Sequence, residues 1–327
     1  MNADAFTVGI RVEGPPGGPR RRTHYPTAAH AYRTCDPRAV NGMEAYIGHF
    51  CFDHAMREYL AAHGSVKGFV GCTWASSLAL DIDRETIDAA LADTQALIHS
   101  LEDDYGVPPE CVPVFFSGRK GFHVEPQTGL WAPLPGPAFH KIAREFAETI
   151  AARAGITIDS GVYDAVRLLR APNSRHPKTG LYKRWLPADK LDALTADDCM
   201  ILAEKPQPFD LPGLEGSPDM LAAVWDAAAA AVAAQDEAAA QRRADIAVGK
   251  ASAKLNDLTR RLLAGEPMQQ GERHKRIYSA AANLAELDVP LHAAHQLLTE
   301  AGRDSGLPPR DVFRAIENGH ARAGAVC

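Results

Sequence analysis

The sequence predicts an α+β fold in its first part and an all-helical region after it. Up to about residue 205, runs of β-branched and aromatic residues alternate with segments whose apolar residues recur every three or four positions. From residue 219 onward, alanine and charged residues dominate and no strand candidate is found. Proline and glycine punctuate the segment 206–216 between the two regions. We therefore predict two domains, 1–212 and 213–327.

The helical period predicts helices over 43–63, 84–104 and 137–154. The strand candidates, which fit a mostly antiparallel sheet, are 67–72, 77–83, 112–117, 121–125, 156–158 and 180–185. The segment 14–22, rich in proline, glycine and arginine, is expected to be a loop. Beyond the boundary, 219–264 predicts one long helix or two, and further helices are expected to begin near Gly271, Pro290 and Pro308.

Charge and hydropathy restrict the class of protein. The formal net charge is −6, and 46% of the residues are hydrophobic, as in an ordinary water-soluble protein. No apolar stretch approaches the length of a membrane span, and the N-terminus lacks the basic and apolar regions of a signal peptide. We therefore expect a cytoplasmic protein with reduced thiols and no membrane partner.

Two carboxylates stand at the end of the strand predicted over 77–83. Residues i and i+2 of a strand share a face, so Asp81 and Asp83 can reach the same divalent cations. Mg²⁺ and Mn²⁺ prefer oxygen ligands, and two such ions can stabilise the attacking and leaving oxygens of a phosphoryl transfer. A solvated strand end or a turn would carry the same two residues, so the pair needs support from elsewhere in the chain.

A basic turn follows the strand predicted over 112–117. Gly118 and Gly121 bracket Arg119 and Lys120, and glycines permit a tight hairpin that lets backbone amides and basic side chains approach a polyanion. His123, just past the turn, could hold a phosphate oxygen. An ordinary hairpin with exposed basic residues is the alternative interpretation.

A third acidic residue, Asp159, ends the strand predicted over 156–158, with Asp164 as a competitor for the same role. Between residues 161 and 190, seven Lys or Arg stand against two acids. This local positive charge suits a polyphosphate or a nucleic-acid backbone, although a solvated basic loop has the same composition. We prefer Asp159 because it directly follows the strand.

These motifs, in this order, resemble those of the archaeo-eukaryotic primase superfamily. Asp81-Ile82-Asp83 is similar to its Asp-x-Asp motif, 117–123 to its Ser-Gly-x-x-Gly-x-His motif, and Asp159 to its third metal-binding aspartate. The segment 167–181, Arg-Leu-Leu-Arg-Ala-Pro-Asn-Ser-Arg-His-Pro-Lys-Thr-Gly-Leu, is similar to the one that follows that aspartate in primase catalytic subunits. The resemblance covers roughly residues 65–190.

The resemblance implies a catalytic core related to the RNA-recognition-motif fold, followed by a small helical C-terminal domain like that of phage and plasmid primases. It implies two Mg²⁺ or Mn²⁺ ions held by Asp81, Asp83 and Asp159. It also implies that the incoming nucleotide is bound by six side chains: Ser117, Arg119, Lys120, His123, Arg170 and His176. The reaction would be attack of a 3′-hydroxyl on the α-phosphate of an NTP or dNTP, on a single-stranded DNA template.

The chain departs from the many primase subunits that carry a zinc module, because no cysteine lies between His123 and Asp159. The nearest metal-like cluster is His49, Cys51 and His54, with Cys35 upstream, and its spacing is not the usual paired one. We therefore expect buried packing there and no structural zinc.

Several functions fit these residues. The leading hypothesis is a DNA-dependent primase-polymerase; an alternative of the same superfamily is a primer-dependent repair or end-joining polymerase. A non-catalytic DNA-binding replication initiator would not need the three aspartates, and a metal nuclease would not need the basic turn. No P-loop motif occurs, so unwinding would need a separate helicase, and a single-strand-binding protein is a further possible partner.

Overall fold

A computed structural model describes residues 9–14, 21–25, 32–36, 44–64, 69–214, 218–247, 254–269 and 271–324. The chain divides into two compact units, Met1–Gln235 and Asp236–Cys327. The assignment of domains to 1–212 and 213–327 stays a prediction.

The first unit contains a central antiparallel sheet of four strands, in the order β10-β7-β8-β6. Its strands are β6 (Leu80–Asp83), β7 (Val114–Phe116), β8 (Gly121–Val124) and β10 (Arg184–Leu186). The register sets Asp81 opposite His123, and Asp83 opposite Gly121. The Asp-x-Asp segment and the end of the basic turn therefore meet on adjacent strands.

A second antiparallel sheet has the order β2-β1-β3-β9. It consists of β1 (Gly9–Gly14), β2 (Arg21–Tyr25), β3 (Glu44–Gly48) and β9 (Leu168–Arg170). A small ladder joins β4 (Cys51–Phe52) to β5 (Thr73–Trp74). Within this sheet, β9 carries Arg170 and pairs it with Tyr46 of β3.

In the parts of the first unit that the structure describes, the helices before the Pro-rich segment include α1 (His54–His63), α2 (Ile87–Tyr105), α3 (Phe139–Arg153) and α4 (Ala196–Leu202). Helix α2 begins where the Thr86 hydroxyl accepts a hydrogen bond from Ala89 N–H, and it ends at Gly106, whose φ of 65° suits glycine. The apolar faces of α2 and α3 join one core with the central sheet; its buried side chains include Leu80, Ile82, Leu97, Leu101, Phe116, Phe122 and Phe146.

Helix α5 (Pro218–Ala247) starts in the first unit, where Leu221 and Trp225 are buried in the main core. The second unit contains α6 (Asp257–Leu263), α7 (Arg273–Ala285), α8 (Leu291–Asp304) and α9 (Pro309–Gly324). Its separate core includes Leu262, Ile277, Leu284, Leu298, Val312 and Ile316. None of the helices in the described parts of the chain is long and apolar enough to cross a membrane.

The α+β class is confirmed, as are the predicted helices near 84–104 and 137–154 and the predicted helix starts in the second unit. The helix predicted over 43–63 is wrong in its first half, because residues 44–48 and 51–52 pair as strands and α1 begins only at His54. The predicted strand 156–158 is also wrong, since these residues form no ladder. Of the strand predicted over 67–72, residues 69–72 are not a strand either, and residues 67–68 lie outside the described residues.

Strands β1, β2 and β9 have no counterpart among the predicted strands. Of the predicted loop 14–22, residue 14 ends β1 and residues 21–22 begin β2, and these two strands pair with each other; residues 15–20 lie outside the described residues. Strand β9 lies within the basic segment, where strand pairing to β3 is a long-range contact that local composition does not reveal.

Candidate active site

The two strand aspartates lie on the open face of β6. Leu80 and Ile82 are fully buried in the core, whereas Asp81 is partly exposed and Asp83 is exposed, as the two-residue period of a strand requires. Across the ladder, His123 Nε2 lies 3.6 Å from Asp81 Oδ1. Both predicted carboxylates therefore face the same space as the histidine of the basic turn.

The turn between β7 and β8 is a tight hairpin built on its glycines. Ser117 N–H donates to Gly121 C=O at 2.8 Å, and Gly121 N–H donates to Ser117 Oγ at 3.2 Å. Gly118 has a φ of +85°, which explains the glycine there. Lys120 Nζ lies 3.6 Å from Asp83 Oδ1. The basic turn therefore places Lys120 beside the Asp83 carboxylate.

Asp159 lies next to β6, although the segment that precedes it is not a strand. Its N–H donates to Asp81 C=O at 2.9 Å, and its own Oδ1 accepts from Gly161 N–H at 2.9 Å, which starts a short 3-10 helix at Ser160–Tyr163. The segment before it is fixed by Arg84, whose guanidinium donates to Thr157 C=O at 2.6 Å. Asp164 instead is exposed and accepts from Val166 N–H. Of the two candidates, Asp159 is the one bonded to β6.

Arg170 and His176 come from β9 and the loop after it. The Arg170 guanidinium lies 5.0 Å from the centre of the Tyr46 ring and donates to Arg175 C=O at 3.2 Å. The loop is closed by His176 N–H donating to Leu181 C=O at 2.7 Å. It is joined to the basic turn by Thr179 Oγ1, which donates to Gly118 C=O at 2.6 Å. Two motifs that are sixty residues apart therefore form one wall.

These elements enclose a cavity of about 220 Å³. Eight of the nine predicted site residues line this cavity, and Asp159 is the exception. The full lining consists of Tyr46, Asp81, Asp83, Ser117, Arg119, Lys120, Gly121, His123, Val162, Arg167, Leu168, Leu169, Arg170 and His176. One end is acidic and the other strongly basic. Such a division suits a ligand that carries both phosphates and a bound cation.

The electrostatics of the acidic end favour a cation. Burial raises the pKa of Asp81, and the nearby charges of Asp159 and Asp83 raise it further, against the opposing effects of His123 and Lys183. Among the described residues, no three acidic, histidine or cysteine side chains stand close enough together to form a complete metal site as they are. The donor chemistry, carboxylate oxygens only, is that of Mg²⁺ or Mn²⁺.

The basic end holds a neutral histidine. Burial, with the charges of Arg170 and Arg119 adding to it, lowers the pKa of His176 to about 4. Near neutral pH this ring is uncharged, so it can exchange a hydrogen bond with a ligand but adds no positive charge. The positive potential at this end comes from the arginines and Lys120.

Sequence reasoning missed three residues of this region. Tyr46 lay inside the segment predicted as a helix, which hid its place on β3. Glu125 stands two residues after His123, so strand periodicity was a usable signal for it. Lys183 is fully buried beneath His123, and nothing in the sequence distinguishes it from the exposed lysines around it.

The metal-like cluster near residue 50 is used in the fold. His49 Nδ1 bonds to Val162 C=O at 2.9 Å, and its Nε2 accepts from Ala79 N–H at 3.1 Å, so neither ring nitrogen is open to a metal. Burial lowers the pKa of His49 to about 4 and raises that of the Cys51 thiol to about 11, which disfavours the thiolate that zinc needs. His54 lies at the start of α1, beside Glu58.

Comparison with known proteins gives one group of curated relatives. The chain is 34% identical over 129 residues to the DNA primase small subunit PriS of Saccharolobus solfataricus, a match covering 33% of this chain and 38% of that protein. It is also 34% identical over 123 residues to the same-named subunits of Saccharolobus islandicus strains L.S.2.15 and Y.N.15.51, covering 31% of this chain and 36% of theirs. The chain thus spans little more than a third of the length of these relatives. No family model and no solved structure matches it.

Proposed function

We propose, from its confirmed resemblance to the archaeo-eukaryotic primase family, that this chain is a nucleotidyltransferase that synthesises primers on single-stranded DNA. The observation that carries the proposal is the cavity in which the β6 aspartates face the basic turn and the loop after β9. Neither a pure DNA-binding protein nor a simple metal nuclease needs both ends of this cavity.

Asp81, Asp83 and Asp159 would hold the divalent cations. The raised pKa of Asp81 supports this, because a cation would offset the repulsion among the three carboxylates that burial intensifies. Bound Mg²⁺ or Mn²⁺ would supply charge neutralisation at the reacting phosphate and at the pyrophosphate that leaves.

The protein's own side chains would bind and orient the triphosphate. Arg119 and Lys120 lie on a turn whose backbone is fixed by Ser117 and Gly121, so their charges are presented from a rigid support. Arg170 can offer a planar fork to phosphate oxygens while its face rests on Tyr46. Most of the catalysis would be positioning and charge stabilisation.

Three finer features remain part of the proposal. The sheet β10-β7-β8-β6 would be the core related to the RNA-recognition-motif fold. The helices of the second unit would help to hold the initiating nucleotide or the template. The enzyme would act in the cytoplasm without structural zinc, alongside a separate helicase or single-strand-binding protein.

The test is primer synthesis on single-stranded DNA with purified protein, labelled nucleotides and Mg²⁺ or Mn²⁺, without an added primer. Wild type should make products, and the double variant Asp81→Ala/Asp83→Ala should make none. Asp164→Ala is the matched control and should keep full activity, since Asp164, unlike Asp159, is not bonded to β6 and its carboxylate accepts from Val166 N–H outside the cavity.

Two other results have clear meanings. Products that appear only when a primer is supplied would select the extension polymerase of the same superfamily. Absence of transfer under both conditions, with DNA binding retained, would select the non-catalytic initiator.

A further inference from the structure

A buried ionic cluster lies directly behind the cavity. Lys183 Nζ is 2.7 Å from Glu125 Oε1 and 3.0 Å from His123 Nδ1, and it lies 4.7 Å from the centre of the Phe115 ring. The Lys183 side chain is only 2% exposed. The cluster connects the interior to His123, which faces Asp81.

The charges within the cluster are matched. Burial alone would raise the pKa of Glu125, but the Lys183 ammonium beside it holds that pKa at about 2. Lys183 Nζ and Glu125 Oε1, 2.7 Å apart, form a buried ion pair. Lys183 is therefore a donor with no lone pair to offer.

The Lys183 ammonium determines which imidazole nitrogen of His123 carries the hydrogen. An ammonium at 3.0 Å from Nδ1 can only donate to that nitrogen, so Nδ1 must be the acceptor and the ring hydrogen must be on Nε2. Glu125 Oε1 lies 3.6 Å from Nδ1, beyond hydrogen-bond distance, and does not compete while Lys183 is present. The opposite nitrogen, Nε2, is the one that faces the cavity and Asp81.

We propose that Lys183, held by Glu125, is a positioning residue that keeps the hydrogen of His123 on Nε2, where it is donated to a phosphate oxygen of the nucleotide. The inference rests on the proposed function for its substrate, but not for the state of the ring. With the other tautomer, Nε2 would present a lone pair to an anionic phosphate, which would repel it. Lys183 therefore acts on the nucleotide only through His123.

The first test is the tautomer itself, read from the imidazole ¹⁵N shifts and the ¹H–¹⁵N couplings of the protein without ligands. The His123 signals are identified as those missing in His123→Asn. Wild type should show a proton on Nε2 and none on Nδ1. A wild-type ring with its proton on Nδ1 would overturn the proposal, and this measurement needs no Lys183 variant to fold.

The second test is Lys183→Met, which removes the donor and leaves Glu125 as the nearest group to Nδ1. His123 Nδ1 should then gain a proton, and KM for the nucleotide should rise about tenfold with a smaller change in kcat, as for one lost hydrogen bond to phosphate. Lys190→Met, at an exposed lysine of the same region, should leave both the ring and KM unchanged. A folded Lys183→Met variant in which the His123 hydrogen stays on Nε2, as in wild type, would overturn the proposal.

Different results would contradict the proposed nucleotide transfer and the proposed positioning role of Lys183. If the wild-type ring has the expected tautomer but the protein transfers no nucleotide, the proposed function is wrong and the ring assignment stands. If nucleotide transfer occurs while KM in Lys183→Met stays at the wild-type value, the positioning role is wrong and the function stands.

Discussion

Gly121→Ala should damage both the stability and the activity of the first unit. Gly121 is opposite Asp83 in the β6–β8 ladder, and a Cβ at this position would lie 2.6 Å from Ile82 C=O. Ordinary contact begins at 3.4 Å, so the two strands must separate locally by about 0.8 Å, the difference of those two distances. The atom in the way is backbone in a buried sheet, which cannot turn aside as a side chain can.

The expected cost follows from that displacement. Overpacking of a well-packed interior destabilises by about 1–3 kcal/mol, and we expect the upper half of that range because a ladder must open. The displacement would also move Asp83 away from Lys120 and His123. Since a misplacement of about 1 Å can reduce a rate by about 10²-fold, nucleotide transfer should fall by between ten- and a hundredfold, by the same order-of-magnitude reasoning.

The assay is urea unfolding followed by tryptophan fluorescence, combined with the transfer rate at saturating nucleotide. All four tryptophans (74, 131, 185 and 225) lie in the first unit, so their fluorescence reports on the unit that changes. Gly136→Ala is the matched control, because its Cβ would meet nothing within 4 Å and its φ needs no glycine. A Gly121→Ala protein as stable and as active as Gly136→Ala would refute the reasoning.

Three further predictions concern the supports of the site. Burial puts the folded-state pKa of His49 at about 4, below its unfolded value of 6.5. The stabilisation from the neutral ring is therefore fully present above pH 6.5, and the free energy of unfolding falls by up to about 3 kcal/mol as the pH drops toward 4. The free energies of unfolding of wild type and His49→Gln, measured over this pH range, should depend differently on pH, and equal pH dependences would contradict this. Tyr163→Phe removes the hydroxyl that donates to Ala79 C=O at 2.8 Å and should cost about 1–3 kcal/mol in urea unfolding, whereas an unchanged midpoint would exclude a role for that bond. Thr179→Val removes the hydrogen bond to Gly118 C=O, so KM for the nucleotide, measured by initial rates, should rise several-fold, while circular dichroism should show little change in fold. A wild-type KM in this variant would show that the loop after β9 does not need this hydrogen bond to bind the nucleotide.

The local rules of chain geometry predicted the acidic and basic ends of the site. The two-residue period of a strand put Asp81 and Asp83 on one face, and the glycines of the turn predicted the hairpin that His123 follows. Both inferences need only neighbours in sequence. The ladder between β6 and β8 is not a pairing of consecutive strands, because β7 lies between them in the chain, and the local rules did not predict it.

What failed depended on contacts between distant segments. Residues 44–48 have apolar side chains at a spacing compatible with a helix, but pairing with β1 on one side and β9 on the other makes them a strand. Asp159 is positioned by a hydrogen bond to β6 and by Arg84 acting on Thr157, across 73 residues of chain. Neither partner can be found from the residues around Asp159.

The proposed function depends most on the binding of divalent cations by Asp81 and Asp83 against a bound triphosphate. The direct measurement is anomalous diffraction at the manganese edge, from crystals of the protein with Mn²⁺ and a non-hydrolysable nucleoside triphosphate. We predict manganese beside Asp81 and Asp83, with the triphosphate against the turn that carries Arg119 and Lys120. Manganese or nucleotide bound elsewhere, with this cavity empty, would contradict it.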